Sequence, residues 1–408
     1  MKKLTLLILI GFLSYLNASA QVLTPQDSLN DNLTANNIKS TQISGYGEAK
    51  VQYDTRFQTA DADLTRNVLY VGHKFNNKIS FFSEWEVEDA KVAGGQLGGE
   101  ISLEQCFLKF NLNRDNYLVA GLFTPRIGIM NENHLPTTFN GNDRPFVETL
   151  IIPSTWREVG VGLYGDIRAI PGLNYSIGLV NGLNSAGFSA NQGIGGDGLF
   201  EGRNATASNI ALTGSLLYYI QNFRIQASGY YGGSAGLTQR KADSLQLESG
   251  PFGTPVGVGE FDMQYLTKAV TFKALGTIVD IPDAYEIDRA YANNTPQEMI
   301  GAYAEVGVNL LYFFNKTNER KFIVFGRYEY VDMAAQTPAD GISNGADRQK
   351  YIVAGITYLP IKGIVIKADY VLRVSGTPNS LLNLNPFGPQ PVYYTSNGYL
   401  NVGIGYSF

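Results

Sequence analysis

The chain has one cysteine, two histidines and two tryptophans in 408 residues. Cys106 has no second thiol to meet, so no internal disulfide holds the fold. On its burial habit it reads as a small apolar side chain in a strand. The histidines, His73 and His134, lack the spacing of a metal-ligand pair, and no metal and no cofactor is expected. Positive charge is also short. The 31 Lys and Arg against 36 Asp and Glu leave a net charge of -5, which excludes the basic footprint of a nucleic-acid partner. After the first residues no apolar run approaches the ~18 residues of a membrane-spanning helix. That leaves the membrane open, because barrel strands carry a far weaker hydropathy signal.

Glycine (45), tyrosine (25) and phenylalanine (22) are plentiful instead. The chain starts Met1-Lys2-Lys3, continues with an apolar run over 4–13, and reaches Ala18-Ser19-Ala20. A basic start, a short apolar core and an A-x-A site describe a secretory signal peptide over 1–20, cleaved after Ala20. No cysteine stands at that site, which excludes a lipoprotein anchor there. Residues 21–41 are rich in Asn, Asp, Ser and Thr and read as a flexible periplasmic leader.

From residue 42 to 408 the pattern is alternation. Successive strand residues point to opposite faces, so alternation marks a sheet with two different sides. In the last segment Leu400, Val402, Ile404, Tyr406 and Phe408 form one face, and Asn401, Gly403, Gly405 and Ser407 the other. Sixteen such segments are legible, near 42–57, 64–75, 78–89, 100–112, 116–126, 156–168, 172–183 and 207–220, then 222–234, 258–267, 270–281, 299–313, 321–333, 348–359, 363–375 and 397–408. Tight turns such as Asn76-Asn77, Ile170-Pro171-Gly172 and Gln221-Asn222 alternate with connections that are mostly long. Residues 283–293 read as a short helix in one long loop. Short turns alternating with long loops over an even number of strands is the plan of an all-β, transmembrane antiparallel β-barrel. Lipid leaves no backbone group unpaired, so such a sheet closes on itself. Tyr and Phe crowd strand ends, as in Tyr218-Tyr219, Tyr230-Tyr231 and Tyr312-Phe313-Phe314, where interfacial girdles sit. A soluble β-sandwich would alternate too, but it would bury the Lys, Glu and Arg face in a core.

Motifs for catalysis are weak. Gly232-Gly233-Ser234-Ala235-Gly236 matches G-x-S-x-G, but both histidines precede the serine and no strand–turn–helix context follows. The chain is therefore read as not an enzyme, with an outer-membrane barrel hydrolase as the remote alternative. Gly94–Gly99 (GGQLGG) has no Lys-Ser/Thr or helix after it and reads as a loop tip. His134 near Glu132 reads as a hydrogen-bonded loop histidine. The charges on the polar strand faces carry more information. Glu84, Glu86 and Glu88 recur at spacing two, and Glu104 follows in the next segment, where the alternation falters at Gln105–Cys106 as at a bulge. Lys50, Arg66, Arg327, Lys367 and Arg373 supply the opposite sign. A charged pore lining that orients polar solutes and a merely solvated wall held by ion pairs both fit this pattern.

One stretch breaks the rhythm. Residues 127–157, IGIMNENHLPTTFNGNDRPFVETLIIPSTWR, have no clean period, yet they carry three of the 16 prolines, one histidine and one tryptophan. A long irregular stretch rich in Phe139, Phe146, Leu150, Ile151, Ile152 and Trp156 is an ordered, functional loop rather than a disordered one. The runs Asn131-Glu132-Asn133-His134-Leu135-Pro136-Thr137-Thr138-Phe139-Asn140-Gly141, Arg144-Pro145 and Glu148-Thr149-Leu150-Ile151-Ile152-Pro153-Ser154-Thr155-Trp156-Arg157-Glu158 resemble bacterial outer-membrane porins related to the phosphate-selective porin O/P family. Glu100-Ile101-Ser102-Leu103-Glu104-Gln105 and Gly121-Leu122-Phe123-Thr124-Pro125-Arg126 resemble it as well. The resemblance implies a barrel of about 16 strands with an inward-folded constriction loop, in a homotrimer, in the Gram-negative outer membrane.

The expectation is then a porin for passive diffusion of small polar solutes or ions, through a water-filled barrel narrowed by loop 127–155. Arg126, Arg144 and Arg157 form one charged lip, with Glu132, Glu148 and Glu158 opposite and His134 between. An anion- or phosphate-selective channel is the alternative, but a dianion would meet the interspersed glutamates. The expected partners are outer-membrane lipid, small polar or anionic solutes, and the barrel assembly machinery reading the Phe408 strand.

Overall fold

The computed structural model describes residues 40–89, 99–382 and 392–408. The expected signal peptide, almost all of the leader and most of GGQLGG lie outside the described residues. The first eight strands are β1 (Ser40–Asp54), β2 (Thr59–Lys74), β3 (Ile79–Glu88), β4 (Ile101–Asn111), β5 (Asn116–Phe123), β6 (Glu158–Asp166), β7 (Leu173–Asn181) and β8 (Ile210–Ile220). The second eight are β9 (Phe223–Gly233), β10 (Pro255–Leu266), β11 (Val270–Asp280), β12 (Glu298–Asn309), β13 (Lys321–Gln336), β14 (Arg348–Ile361), β15 (Ile364–Ser375) and β16 (Ser396–Ser407). Each strand pairs antiparallel with its sequence neighbours, and β1 pairs with β16, so the sheet is a closed barrel. Val51 opposite Val402 and Tyr53 opposite Leu400 set the register of the closing seam.

The alternation read in the sequence is the alternation of exposure. On β16, Leu400, Val402 and Ile404 are 50 %, 57 % and 61 % exposed, while Asn401 between them is 1 % exposed. Trp85, Ile177, Phe261, Val324 and Ile352 continue the exposed apolar surface around the barrel. Apolar surface on that scale marks contact with a membrane or another apolar phase. The turns follow from their residues. Asn76 Oδ1 accepts the N–H groups of Lys78 and Ile79 at 2.8 and 3.0 Å, and Asn113 Oδ1 does the same for Asp115 and Asn116 at 2.9 Å.

Most strand boundaries shift by a few residues from the sequence reading, and the largest shifts alter the connections. The segment expected to run as strand to 313 ends at Asn309, where Leu310–Phe314 turns helical. β2 starts at Thr59, so the first hairpin is tighter than its expected 58–63 loop. β5 stops at Phe123 and β6 starts at Glu158, which lengthens the irregular segment to 124–157. The expected loop helix is present as Ala284–Tyr291.

Segment 124–157 is packed, not loose. Ile127, Val147, Ile151, Ile152 and Trp156 are fully buried, in one cluster with Phe82, Phe107 and Tyr230 of the strands. Trp156 lies against Tyr230 with ring centroids 4.7 Å apart. Burial of each large aliphatic side chain contributes about 1.5–3 kcal/mol, which is why a stretch without a period can still be ordered.

Candidate functional site

The segment 124–157 is fastened to strand residues on many sides. Lys50 of β1 bonds Asp143 at 2.6 Å. Lys273 of β11 donates to the Thr138 carbonyl at 3.1 Å. Asn140 donates to Glu305 of β12 at 2.9 Å, and Val147 N–H donates to Glu329 of β13 at 3.0 Å. Arg327 of β13 reaches the carbonyls of Asn140 and Asp143 at 3.2 and 3.3 Å, while also pairing with Glu305 (3.1 Å) and Glu329 (2.7 Å). The Lys367 ammonium of β15 sits 3.6 Å from the centroid of the Phe139 ring. Two glycines make room for the segment. A Cβ on Gly403 would stand 2.1 Å from Asn142 Oδ1, and one on Gly405 would stand 2.6 Å from Pro136 Cβ.

The expected lip of arginines facing glutamates takes a different form. Arg126 and Glu132 pair with each other at 3.1 Å, and Arg224 of β9 joins Glu132 on one side and Asp262 of β10 on the other. Glu148 is fully buried, which corrects its reading as a pore lip. Its Oε2 accepts the N–H groups of Ile129 and Met130, both at 2.7 Å, and its Oε1 accepts the Tyr303 hydroxyl at 2.7 Å. Burial pushes its pKa up to about 7 against those hydrogen bonds. Glu158 is corrected in the same way. It is fully buried, accepting from Trp156 Nε1 at 2.7 Å and from Asn181. Both carboxylates fasten the segment rather than face solvent. Arg157 pairs with Glu201 at 3.0 Å. Arg144 is buried, with Nε and Nη2 making no hydrogen bond.

On the strands, Glu84 and Glu86 are buried and Glu88 half-buried on one face of β3, opposite exposed Trp85. Arg66 pairs with Glu48 at 2.9 Å and Glu86 at 3.2 Å. The faltering alternation read at Gln105–Cys106 is a bulge, and it falls just before them, at Glu104. Glu84 opposes Gln105 while Trp85 opposes Leu103, so Glu104 has no partner across the strand pair. The bulge turns both Glu104 and Gln105 inward. There Glu104 accepts from Tyr46 at 3.1 Å and from Thr155 at 2.6 Å. His134 is buried beside it and turned away from Glu132. Burial lowers the His134 pKa, but the Glu104 carboxylate outweighs burial and lifts it to about 9. Arg373 stacks over Tyr393 at 5.6 Å and donates to the Tyr394 carbonyl at 3.5 Å.

At the end of the barrel that carries the short turns, a cavity of about 490 Å³ is lined by Asn113, Lys109, Tyr117, Tyr164, Arg126 and Glu132, among others. Its wall is a stack of rings and cations. Lys109 lies 4.0 Å from the Tyr117 ring, Tyr117 and Tyr164 are stacked at 5.1 Å, and Arg126 lies 5.4 Å from Tyr164. The sequence reading did not name Asn140, Asn142, Asp262, Glu305, Glu329 or Asp369 as site residues. The inward positions of β10, β12, β13 and β15 were legible from alternation, whereas their bonds to the segment were not. Ser234 is buried and its hydroxyl donates to the Thr254 carbonyl at 2.6 Å, a structural role.

A closed sixteen-strand antiparallel barrel with a polar, charged inner face is the architecture of outer-membrane porins. Solved structures with this fold include the outer-membrane channel DcaP of Acinetobacter baumannii (TM-score 0.54, 12% identity, 91% of this chain and 97% of that one). Salmonella typhi OmpF in complex with daunomycin is similar at TM-score 0.52 and 13% identity, over 92% of this chain and 99% of that one. The anion-selective porin from Comamonas acidovorans is similar at TM-score 0.50 and 10% identity, over 91% and 100%. No family model matches the chain. An uncharacterized protein of Aquifex aeolicus (strain VF5) is 30% identical over 352 residues, 82% of this chain and 76% of the relative. The chain belongs to one family with that Aquifex protein.

Proposed function

We propose that the protein is a passive outer-membrane porin for small polar solutes or ions, with segment 127–155 as its constriction, and that it is not an enzyme. The observation that carries this reading is the fastening of one irregular segment to the buried faces of β1, β11, β12, β13 and β15, strands spread around a closed barrel. Such a segment narrows the interior. The charged pairs along it give solutes a polar path, and the exposed apolar strand faces fit lipid. In this reading residues 1–20 are a signal peptide, 42–408 the barrel, and the Phe408 strand the mark read by the assembly machinery. A homotrimer follows the family resemblance.

A second reading has its own support. Arg144 Nε and Nη2, Arg157 Nε and Lys367 Nζ are buried without hydrogen-bond partners, as are oxygens of Glu260 and Asp262, and the cations among them fit the resemblance to phosphate-selective porins. Single-channel recording in a planar bilayer tests both. The first reading expects ohmic conductance with weak ion preference. A reversal potential showing strong anion preference favours the second, and no conductance from correctly folded protein contradicts both.

A further inference from the structure

Glu84 of β3, Glu104 at the bulge of β4 and His134 of the irregular segment meet in one buried cluster, with one donor atom from each lying within 4.8 Å of the others. Glu84 and Glu104 meet across the β3–β4 pair, where the bulge carries Glu104 inward, and His134 reaches them from segment 124–157. The His134 ring is held in one orientation. Its Nδ1 lies 3.1 Å from the Met130 carbonyl oxygen, which only accepts, so Nδ1 carries the hydrogen that donates to it. Nε2 then faces Glu84 Oε1 at 3.7 Å and Glu104 Oε2 at 3.6 Å. Both distances are too long for a hydrogen bond but lie within ion-pair range, and a bound ion would displace the proton that Nε2 carries beside these carboxylates. The same distances match the edges of a coordination shell, since ligand atoms bound at ~2.0–2.2 Å to one ion stand roughly 3.4–3.7 Å apart at tetrahedral or trigonal angles.

The carboxylates are oriented as metal ligands are. Gln105 Nε2 donates to Glu84 Oε2 at 2.6 Å, Thr155 Oγ1 donates to Glu104 Oε1 at 2.6 Å, and the Tyr46 hydroxyl donates to Glu104 Oε2 at 3.1 Å. Such outer partners fix ligand direction and raise ligand basicity. One imidazole and two carboxylates, with no thiolate, suit a first-row divalent transition ion better than Mg²⁺ or Ca²⁺, which prefer all-oxygen shells. The two carboxylates balance the charge of such an ion. Before an ion binds, the two carboxylates outnumber the one guanidinium, Arg144, whose charge acts on His134.

We propose that Glu84, Glu104 and His134 form a site for a divalent transition ion that ties the irregular segment to the β3–β4 wall. The ion would replace separate, non-touching groups by bonds between loop and barrel. The site does not depend on what passes through the barrel, and metal content reads it without any solute flux.

The test uses the full-length, folded protein in detergent, stripped with a chelator and dialysed against Zn²⁺ in excess Mg²⁺. The expected result is one Zn²⁺ held per chain, and affinity lowered at least ~10-fold by His134→Gln and by Glu104→Gln. Heat-modifiable gel migration checks that each variant forms its barrel. Co²⁺ bound to the wild type should give a visible spectrum of mixed nitrogen and oxygen ligation, lost in His134→Gln. Wild-type protein that retains no Zn²⁺ overturns the proposal whatever the variants do. Undiminished Zn²⁺ in folded His134→Gln overturns it as well. In either case His134 is an imidazolium set between two carboxylates.

Discussion

One carboxylate oxygen of Asp369 accepts two hydrogen bonds from Asn142, at 2.8 Å from the backbone N–H and 2.5 Å from Nδ2. Asp369 belongs to β15 and Asn142 to the irregular segment, so one side chain joins barrel and loop. Its second oxygen accepts from Asn401 of β16 at 2.8 Å. Replacing Asp369 by Ala leaves the buried Asn142 donors unpaired, at a cost of about 1–3 kcal/mol. The barrel should still form, because no strand-pairing bond is lost. Planar-bilayer recordings should show a larger or noisier single-channel current, and an unchanged current would count against the segment as a gauge.

Gly403→Val should act on the same contact by bulk. The new Cβ would meet Asn142 Oδ1 at 2.1 Å and the Ala49 carbonyl at 2.9 Å. Asn142 must then leave its place. A Cβ on Gly276 of β11 meets nothing within 4 Å, so Gly276→Ala is the control for a side chain added to the sheet. Conductance should rise in Gly403→Val and stay at the wild-type value in Gly276→Ala.

Glu148 makes the segment sensitive to pH. Burial raises its pKa to about 7 in the folded protein, against about 4.3 when exposed. A raised carboxyl contributes stability that is fully present below the unfolded value and is lost as pH rises through the folded one. Thermal stability should therefore fall between about pH 4.3 and 7, by an amount on the order of 3 kcal/mol. Glu148→Gln should flatten that profile. A slope of the same size in the variant would place the titration elsewhere.

Trp156 separates packing from hydrogen bonding. Trp156→Ala removes a fully buried indole beside Tyr230 and should cost about 3–5 kcal/mol. Trp156→Phe keeps most of the volume but strips Glu158 Oε1 of its donor, a loss of about 1–3 kcal/mol. Denaturant unfolding of the two variants should rank them in that order.

The barrel was legible because each strand states its own two faces. Leu400, Val402 and Ile404 form an exposed apolar face whatever Asn401 does, and Asn76 turns its hairpin through its own side chain. Even the bulge at Glu104 showed as a break in period. The site was legible only in part. Its residue types stood in segment 127–157, but His134 was read beside Glu132, its neighbour in the chain. Its neighbours in space are Glu84 and Glu104. Likewise Glu148 and Glu158 read as solvent-facing charges, because a charge in an irregular stretch usually is one. Their burial depends on Tyr303, Asn181 and the turns at Ile129 and Met130, which periodicity does not place.

The most direct measurement of the central claim is the single-channel conductance of protein in which residues 131–153 are replaced by a short Gly-Ser linker, with heat-modifiable migration confirming the closed barrel. A conductance well above wild type, with weaker ion preference, is expected, because the charged segment no longer narrows the interior. A folded variant with wild-type conductance and selectivity would contradict it.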